Sequence, residues 1–159
     1  MKYLLSVIIL LSFCFSQAQE AIVDIRLSPA GSFKVKSNEV TGSAVSKAGQ
    51  VQAQNIVVGL KNVETGITLR DTHTKKHLEV EKFPEAVLVS ATGTAGKGQG
   101  KIRIHGVEKE ITGTYEAADK TLTAHFDIKL SDFGITGIKY MGVGVKDEAS
   151  ITVKVPLAN

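Results

Sequence analysis

The sequence predicts an all-β fold, an antiparallel, lipocalin-like β-barrel with one short helical segment. Apolar and polar residues alternate in Phe33–Lys36, Lys101–His105, Ala124–Leu130 and Ile151–Val155. A strand sends successive side chains to opposite faces, so each segment has one buried and one solvated face. About nine such segments, separated by short turns, favour a sandwich or a barrel. We expect the barrel, because closure leaves no exposed strand edge.

The first 18 residues have the layout of a secretory signal peptide. Lys2 supplies a positive start, an apolar run covers 3–15, and the small residues Ser16 and Ala18 precede a cleavage point. The run is shorter than the ~20 apolar residues that span a bilayer, so we expect no stable membrane span. We expect cleavage after Ala18, which leaves one domain, residues 19–159, in the periplasm or outside the cell.

Cysteine content and charge exclude several classes of function. The only cysteine, Cys14, would leave with the signal peptide, so the mature chain has neither disulfides nor thiol chemistry. The formal charge is +3, and removal of Lys2 alone makes it 3 − 1 = +2. The two signs are interspersed without a basic block, so we expect no nucleic-acid partner.

Three turn signals separate strands, at 47–50, 93–100 and 118–120. The second approaches a phosphate-binding loop, but that loop needs Ser or Thr after the lysine, and Gly98 follows Lys97. A strand rather than a helix comes next. We therefore interpret 93–100 as a flexible hairpin tip, and no cofactor is predicted.

The segment Arg70–Glu81 differs from the rest because its pattern is helical. Leu69, His73, His77 and Val80 lie roughly along one side, and Thr68 stands three residues before Asp71 in a weak capping box. Pro84 is expected to stop the helix. One short helix among strands would serve as a lid or plug for the barrel.

Two arrangements could carry chemistry, and each has a simpler structural interpretation. His73 and His77 lie one helical turn apart, but zinc needs three or four ligands, so no metal site is predicted. Asp71 could orient His73 for proton transfer. No nucleophile stands at a recognisable spacing, so no catalytic residue is assigned, and Asp71 is interpreted as a cap paired with Arg70. An enzyme using Asp71 and His73 stays the less favoured alternative.

The chain also resembles a known family, through an ordered set of short segments spread along most of the mature sequence. They are Gly31–Val35, Val40–Gly42, Leu60–Gly66, Leu69–His73, Lys82–Pro84, Gly100–Val107 and Ser131–Ile135. This set is similar to that of the YceI-like proteins, a family described as binding lipids or polyisoprenoids. The resemblance implies a barrel covered by a helical element, a long apolar ligand inside it, and a periplasmic or secreted location.

We therefore expect a binding protein that shields an apolar small molecule or lipid from water. Small residues on the inner faces, Ala53, Gly59, Gly113 and Ala124, would leave room for it. In Asp132–Gly134, Phe133 should enter the core and Gly134 should permit a bend. Arg70, His73 and His77 are expected to meet a polar head group at the mouth. The full set of expected ligand-binding residues is Phe33, Val35, Leu69, Arg70, His73, His77, Leu78, Phe126, Phe133, Ile135 and Met141.

A second alternative is also left open. Alternation also fits a filled barrel that acts as an interaction or stress protein without a small ligand. The sequence does not predict the oligomeric state.

Overall fold

A computed structural model describes residues 19–159, so the predicted signal peptide lies outside the described residues. This part of the chain forms eleven strands, one α-helix and one 3-10 turn. The strands are β1 Glu20–Ser28, β2 Ser32–Ser37, β3 Val40–Thr41, β4 Ala44–Lys47, β5 Gln50–Gly59, β6 Glu85–Thr94, β7 Lys97–Ile104, β8 Val107–Ala118, β9 Thr121–Lys129, β10 Lys139–Tyr140 and β11 Val143–Ala158. The helix α1 spans Thr68–His77, and the 3-10 turn spans Leu130–Phe133.

Seven strands close into a barrel. The meander β4 to β9 is antiparallel throughout, and β11 joins its two ends by pairing with β9 and with β4. The β11–β4 pair is parallel, with Leu157 opposite Ala44. The prediction of a purely antiparallel barrel was therefore wrong. When directions alternate around a ring with an odd number of strands, one neighbouring pair must run parallel.

The remaining strands extend this ring. β1 pairs with β11 along most of its length and with β2 on its other side, while β3 pairs with β5 and β10 pairs with β11. The Glu20 carboxylate accepts hydrogen bonds from Lys154 Nζ at 2.6 Å and forms an ion pair with Lys36 Nζ at 3.1 Å. The hydrogen bonds from Lys154 and Lys36 lower the pKa of Glu20. One carboxylate thus connects β1, β2 and β11.

Two-residue turns with left-handed backbone join several strands. Ala48 and Gly49 have φ values of 51° and 78°, and Asp119 and Lys120 have 50° and 61°. These turns confirm two of the three turn signals. The third signal is shorter than predicted, since only 95–96 form the turn while Gly98 lies in a paired strand. The glycines around that turn therefore belong to the barrel wall and do not form a flexible tip.

The helix α1 begins and ends earlier than predicted. The N-cap residue is Ile67 and not Thr68, and it makes no side-chain cap hydrogen bond. Asp71 instead accepts hydrogen bonds from the backbone N–H of Thr65 at 2.7 Å and from its hydroxyl at 2.5 Å. The left-handed φ of 47° at Glu79 follows the last helical turn, so Pro84 does not end the helix. Within residues 19–159, no helix is long and apolar enough to cross a membrane.

Phe133 belongs to the larger of two buried clusters and is 1% exposed. Gly134 follows it with φ at 72°. The prediction that Phe133 enters the core before a bend is confirmed, although the segment is a 3-10 turn rather than the end of a strand.

Candidate functional site

The barrel encloses a cavity of about 450 Å³. Its wall is built from alternate residues of the strands, for example Ala21, Val23 and Ile25 on β1 and Ile151 and Val153 on β11. Alternation thus places one face of each strand on a common apolar surface. The volume falls within the range of ~300–1,000 Å³ that is usual for small-molecule sites.

Small residues keep this interior open. Ala53, Gly113 and Ala124 line the cavity as predicted. Gly59 does not line it, because this glycine faces the side chain of Glu39. Ala124 lies between Tyr115 and Val153 on the neighbouring strands, and both of these side chains also line the cavity.

Nine of the eleven expected ligand-binding residues line the cavity wall or its mouth. They are Phe33, Val35, Leu69, Arg70, His73, His77, Leu78, Phe126 and Ile135. The expected placement of the other two is corrected. Phe133 is buried in the core away from the wall, and Met141 is 85% exposed at the tip of the β10–β11 hairpin. In β9, Phe126 is half-buried and packs against the core while His125 and Asp127 are exposed, as the alternation predicts. Phe126 lines the cavity, and the exposed His125 borders it as well.

The helix α1 lies over the mouth of the cavity. Leu69, Arg70, His73, Thr74 and His77 all line it, which is one side of a helix at spacings of three and four. None of the helical residues is buried. The helix is therefore a cover with one side on the cavity, and it is not a plug in the core.

Arg70 fastens the start of this helix to the barrel. Its Nη2 donates to the Thr65 carbonyl oxygen at 2.8 Å, and its guanidinium carbon lies 4.4 Å from the centroid of the Phe33 ring. Its Nε is buried without a hydrogen-bond partner among the described residues. The expected direct pairing with Asp71 is replaced by these contacts with Thr65 and Phe33.

Asp71 and His73 have separate partners. Hydrogen bonds from Thr65 hold the pKa of Asp71 below its ordinary value of 3.8. The His73 ring meets the edge of Tyr140, with ring centroids 5.1 Å apart. Asp71 thus holds the helix to the preceding loop at Thr65, and His73 contacts the β10–β11 hairpin. In residues 19–159, no three His, Cys, Asp or Glu side chains are grouped so that they could hold a metal ion.

A second contact holds the segment that follows α1. His105 Nε2 lies 2.5 Å from Glu79 Oε2, and its Nδ1 lies 3.1 Å from the Phe133 carbonyl oxygen. The Phe83 ring packs on His105 with centroids 4.5 Å apart. Sequence reasoning missed this contact, since it placed His105 at the end of a strand, whereas the residue lies in a turn with φ at 52°.

Sequence reasoning also missed part of the mouth. The mouth is also lined by Ile67, Lys139, Tyr140 and Val143. The last three belong to the β10–β11 hairpin, whose sequence does not alternate between polar and apolar residues. Aromatic and apolar residues beside Gly142 were the only signal there.

Comparison with known proteins supports a single assignment. The model of the YceI-like domain matches residues 16–157. No curated protein matches the chain. A solved structure described as a polyisoprenoid binding domain from Saccharophagus degradans implicated in plant cell wall breakdown is 14% identical, with a TM-score of 0.56 over 86% of this chain and 91% of its own.

BcnA from Burkholderia cenocepacia is 13% identical, with a TM-score of 0.61 over 84% of this chain and 94% of its own. At these identities the two structures show a shared fold. The family model covers nearly the whole described chain, and the predicted resemblance is confirmed. With its closed barrel, covering helix and matched residues 16–157, the chain belongs to the YceI-like domain family.

Proposed function

We propose that this protein is an exported carrier that holds an isoprenoid-like or other lipid chain in its barrel, in the manner of a lipocalin. The observation that carries the proposal is the cavity of about 450 Å³ with its apolar wall. Burial of methylene groups is worth ~0.8 kcal/mol each. A chain with about ten buried methylenes would gain roughly 8 kcal/mol from burial, and the cost of immobilising the ligand makes the Kd weaker than the ~1 μM that this gain alone would give. The related domain described as polyisoprenoid binding supports this ligand class.

The proposal gives the predicted residues two roles. Phe33, Phe126 and Leu78 contact the apolar chain, because they line the cavity and pack against the core. Arg70 and His73 lie at the mouth, where an amphipathic ligand places its polar end. Charged hydrogen bonds at such a place are worth ~1.5–3 kcal/mol at best, and less where water reaches them.

Native mass spectrometry of gently purified protein tests the proposal directly. A carrier is expected to retain lipid, and a mass equal to that of the polypeptide alone would favour an interaction protein without a ligand. A displacement titration with a fluorescent lipid then separates the two roles.

In that titration, Leu78→Asp is expected to weaken neutral and anionic lipids alike, because it places a charge on the apolar wall. Arg70→Ala is expected to weaken the anionic lipid about tenfold and the neutral lipid little. Val45→Asp is the matched control, since Val45 is exposed and does not line the cavity. If Arg70→Ala folds normally and both lipids bind unchanged, Arg70 serves only to hold the helix to Thr65.

Export is part of the proposal, and it depends on residues 1–18. Cleavage between Ala18 and Gln19 is expected, because small residues precede that bond. N-terminal analysis of the secreted or periplasmic protein should find Gln19 or its cyclised form. Recovery of an intact Met1, or of lipid attached to Cys14, would contradict the proposed export route.

A further inference from the structure

The exposed apolar side chains are concentrated at one place. Six large hydrophobic residues in the described part of the chain are exposed, and five of them lie on two short segments, 67–69 and 140–143. These five, Ile67, Leu69, Tyr140, Met141 and Val143, are named the rim patch. The helix that continues from segment 67–69 contacts the second segment through the rings of His73 and Tyr140. Met141 projects furthest, at 85% exposure.

The rim patch is continuous with the cavity. Ile67, Leu69, Tyr140 and Val143 line the cavity as well as being exposed on the outside. The rim patch and the apolar cavity wall therefore form one surface, with the polar side chains of Arg70, His73 and Lys139 beside it at the mouth. Single exposed apolar residues scattered over a surface are common and indicate nothing. A group of them at one place, as here, indicates an interaction site.

Two lysines lie beside the rim patch. Lys139 precedes Tyr140 and lines the cavity mouth. Lys76 lies on the side of α1 that carries Leu69 and His73, at spacings of seven and three. No aspartate or glutamate lines the cavity, although the chain has 16 acidic residues against 19 basic ones. A partner with an apolar interior and an anionic surface would complement both features.

We propose that the rim patch docks on the surface of a bilayer containing anionic lipids, with the tip of the β10–β11 hairpin in the headgroup region. Tyr140 would lie at the interface, where aromatic rings with a polar end are favoured, and Met141 would reach the acyl chains. Lys76 and Lys139 would meet the anionic headgroups. The mouth of the cavity would then open onto hydrocarbon. The use of this docking for lipid exchange rests on the proposed function, whereas the docking itself needs no ligand.

A bilayer fits these observations better than a second copy of the chain. In a twofold dimer the same patch meets itself, so Lys76 and Lys139 of each copy would approach like charges. A lipid surface offers the opposite charge to the same two residues.

The experiment is co-sedimentation of the full mature protein with vesicles, one set of phosphatidylcholine and one in which phosphatidylglycerol is added. Wild-type protein is expected to bind the anionic vesicles, and added salt should weaken this binding. Met141→Ser should weaken binding to them about tenfold. Lys76→Gln and Lys139→Gln should each weaken it about fivefold. Val45→Ser is the matched control, because Val45 is the one exposed large hydrophobic of the described residues outside the patch.

Three results would overturn the docking proposal. The first is absence of wild-type binding to anionic vesicles, and the second is an equal effect of Met141→Ser and Val45→Ser. The third is a concentration-dependent dimer that Met141→Ser dissociates, which would assign the patch to self-association. Uptake of a fluorescent lipid in solution separates this proposal from the carrier function. Normal uptake without vesicle binding removes the docking alone, and vesicle binding without uptake removes the carrier function alone.

Discussion

Substitution of Ala124 by leucine distinguishes a hollow barrel from a filled one. Ala124 lines the cavity between Tyr115 and Val153 on the neighbouring strands. A leucine side chain at this position points into open apolar space. In a filled core the same change would crowd its neighbours.

The expected magnitudes follow from three added carbon atoms. Burial of these atoms is worth at most about 2.4 kcal/mol, and the lost rotamer freedom of leucine removes ~0.5–1 kcal/mol. The free energy of unfolding is therefore expected to stay unchanged or to rise by up to ~2 kcal/mol. The leucine would also occupy cavity space that a ligand chain could otherwise fill. Ligand binding is therefore expected to weaken by about 2 kcal/mol, or roughly thirtyfold.

Urea denaturation measures the first effect, and displacement of a fluorescent lipid measures the second. Ala149→Leu is the matched control, because Ala149 is fully buried and does not line the cavity. Overpacking there should destabilise the protein by ~1–3 kcal/mol. If Ala124→Leu destabilises as much as this control, the barrel is filled in solution and the carrier proposal loses its basis.

Three further changes test other parts of the structure. Phe126→Asp should destabilise the protein by several kcal/mol, because it places a charge on the apolar wall, while His125→Asp should be nearly silent; equal effects would show that the strand phase is wrong. Gly93→Val should cost ~1–3 kcal/mol, measured by urea denaturation, because a side chain there overlaps a tyrosine ring; an unchanged midpoint would contradict this packing. Hydrogen bonds from Thr65 lower the pKa of Asp71, so the stability they give is present above its ordinary value of 3.8 and is lost as pH falls through the lower folded-state value. The protection factors of the α1 amides, which are exchange rates corrected for their intrinsic pH dependence, should fall on this acidification, and Asp71→Asn should remove that pH dependence.

Alternation was sufficient to predict most of the barrel. Each strand has one face in water and one on the cavity or core. Apolar and polar residues therefore alternate along the strand, as in Ala124–Leu130. The parallel closure at Leu157 and Ala44 was not predictable in the same way. The parallel pair follows from the odd number of strands in the ring. That number was not countable from the sequence, because strands as short as β4 are difficult to recognise by alternation.

The candidate site was predicted where its residues lie on long strands and missed where they do not. The β10–β11 hairpin has a two-residue strand, too short to show a period, so Met141 was assigned to an inner face. The helix boundaries were displaced because its residues face the cavity mouth and none is buried. Alternation also could not predict whether the barrel is hollow. The free volume depends on which residues, distant in sequence, lie next to small residues such as Ala124.

The long strand β11 has a consequence for the order of folding. It completes the ring at both ends, by pairing with β9 and β4, and it also holds β1, whose Glu20 bonds Lys154 at a separation of 134 residues. Contacts this distant in sequence form slowly, because the chain entropy between them must be lost first. A polypeptide still being synthesised therefore cannot close the barrel until β11 has emerged. Until then the apolar wall and two unpaired strand edges are open to association, so the nascent chain needs protection from aggregation.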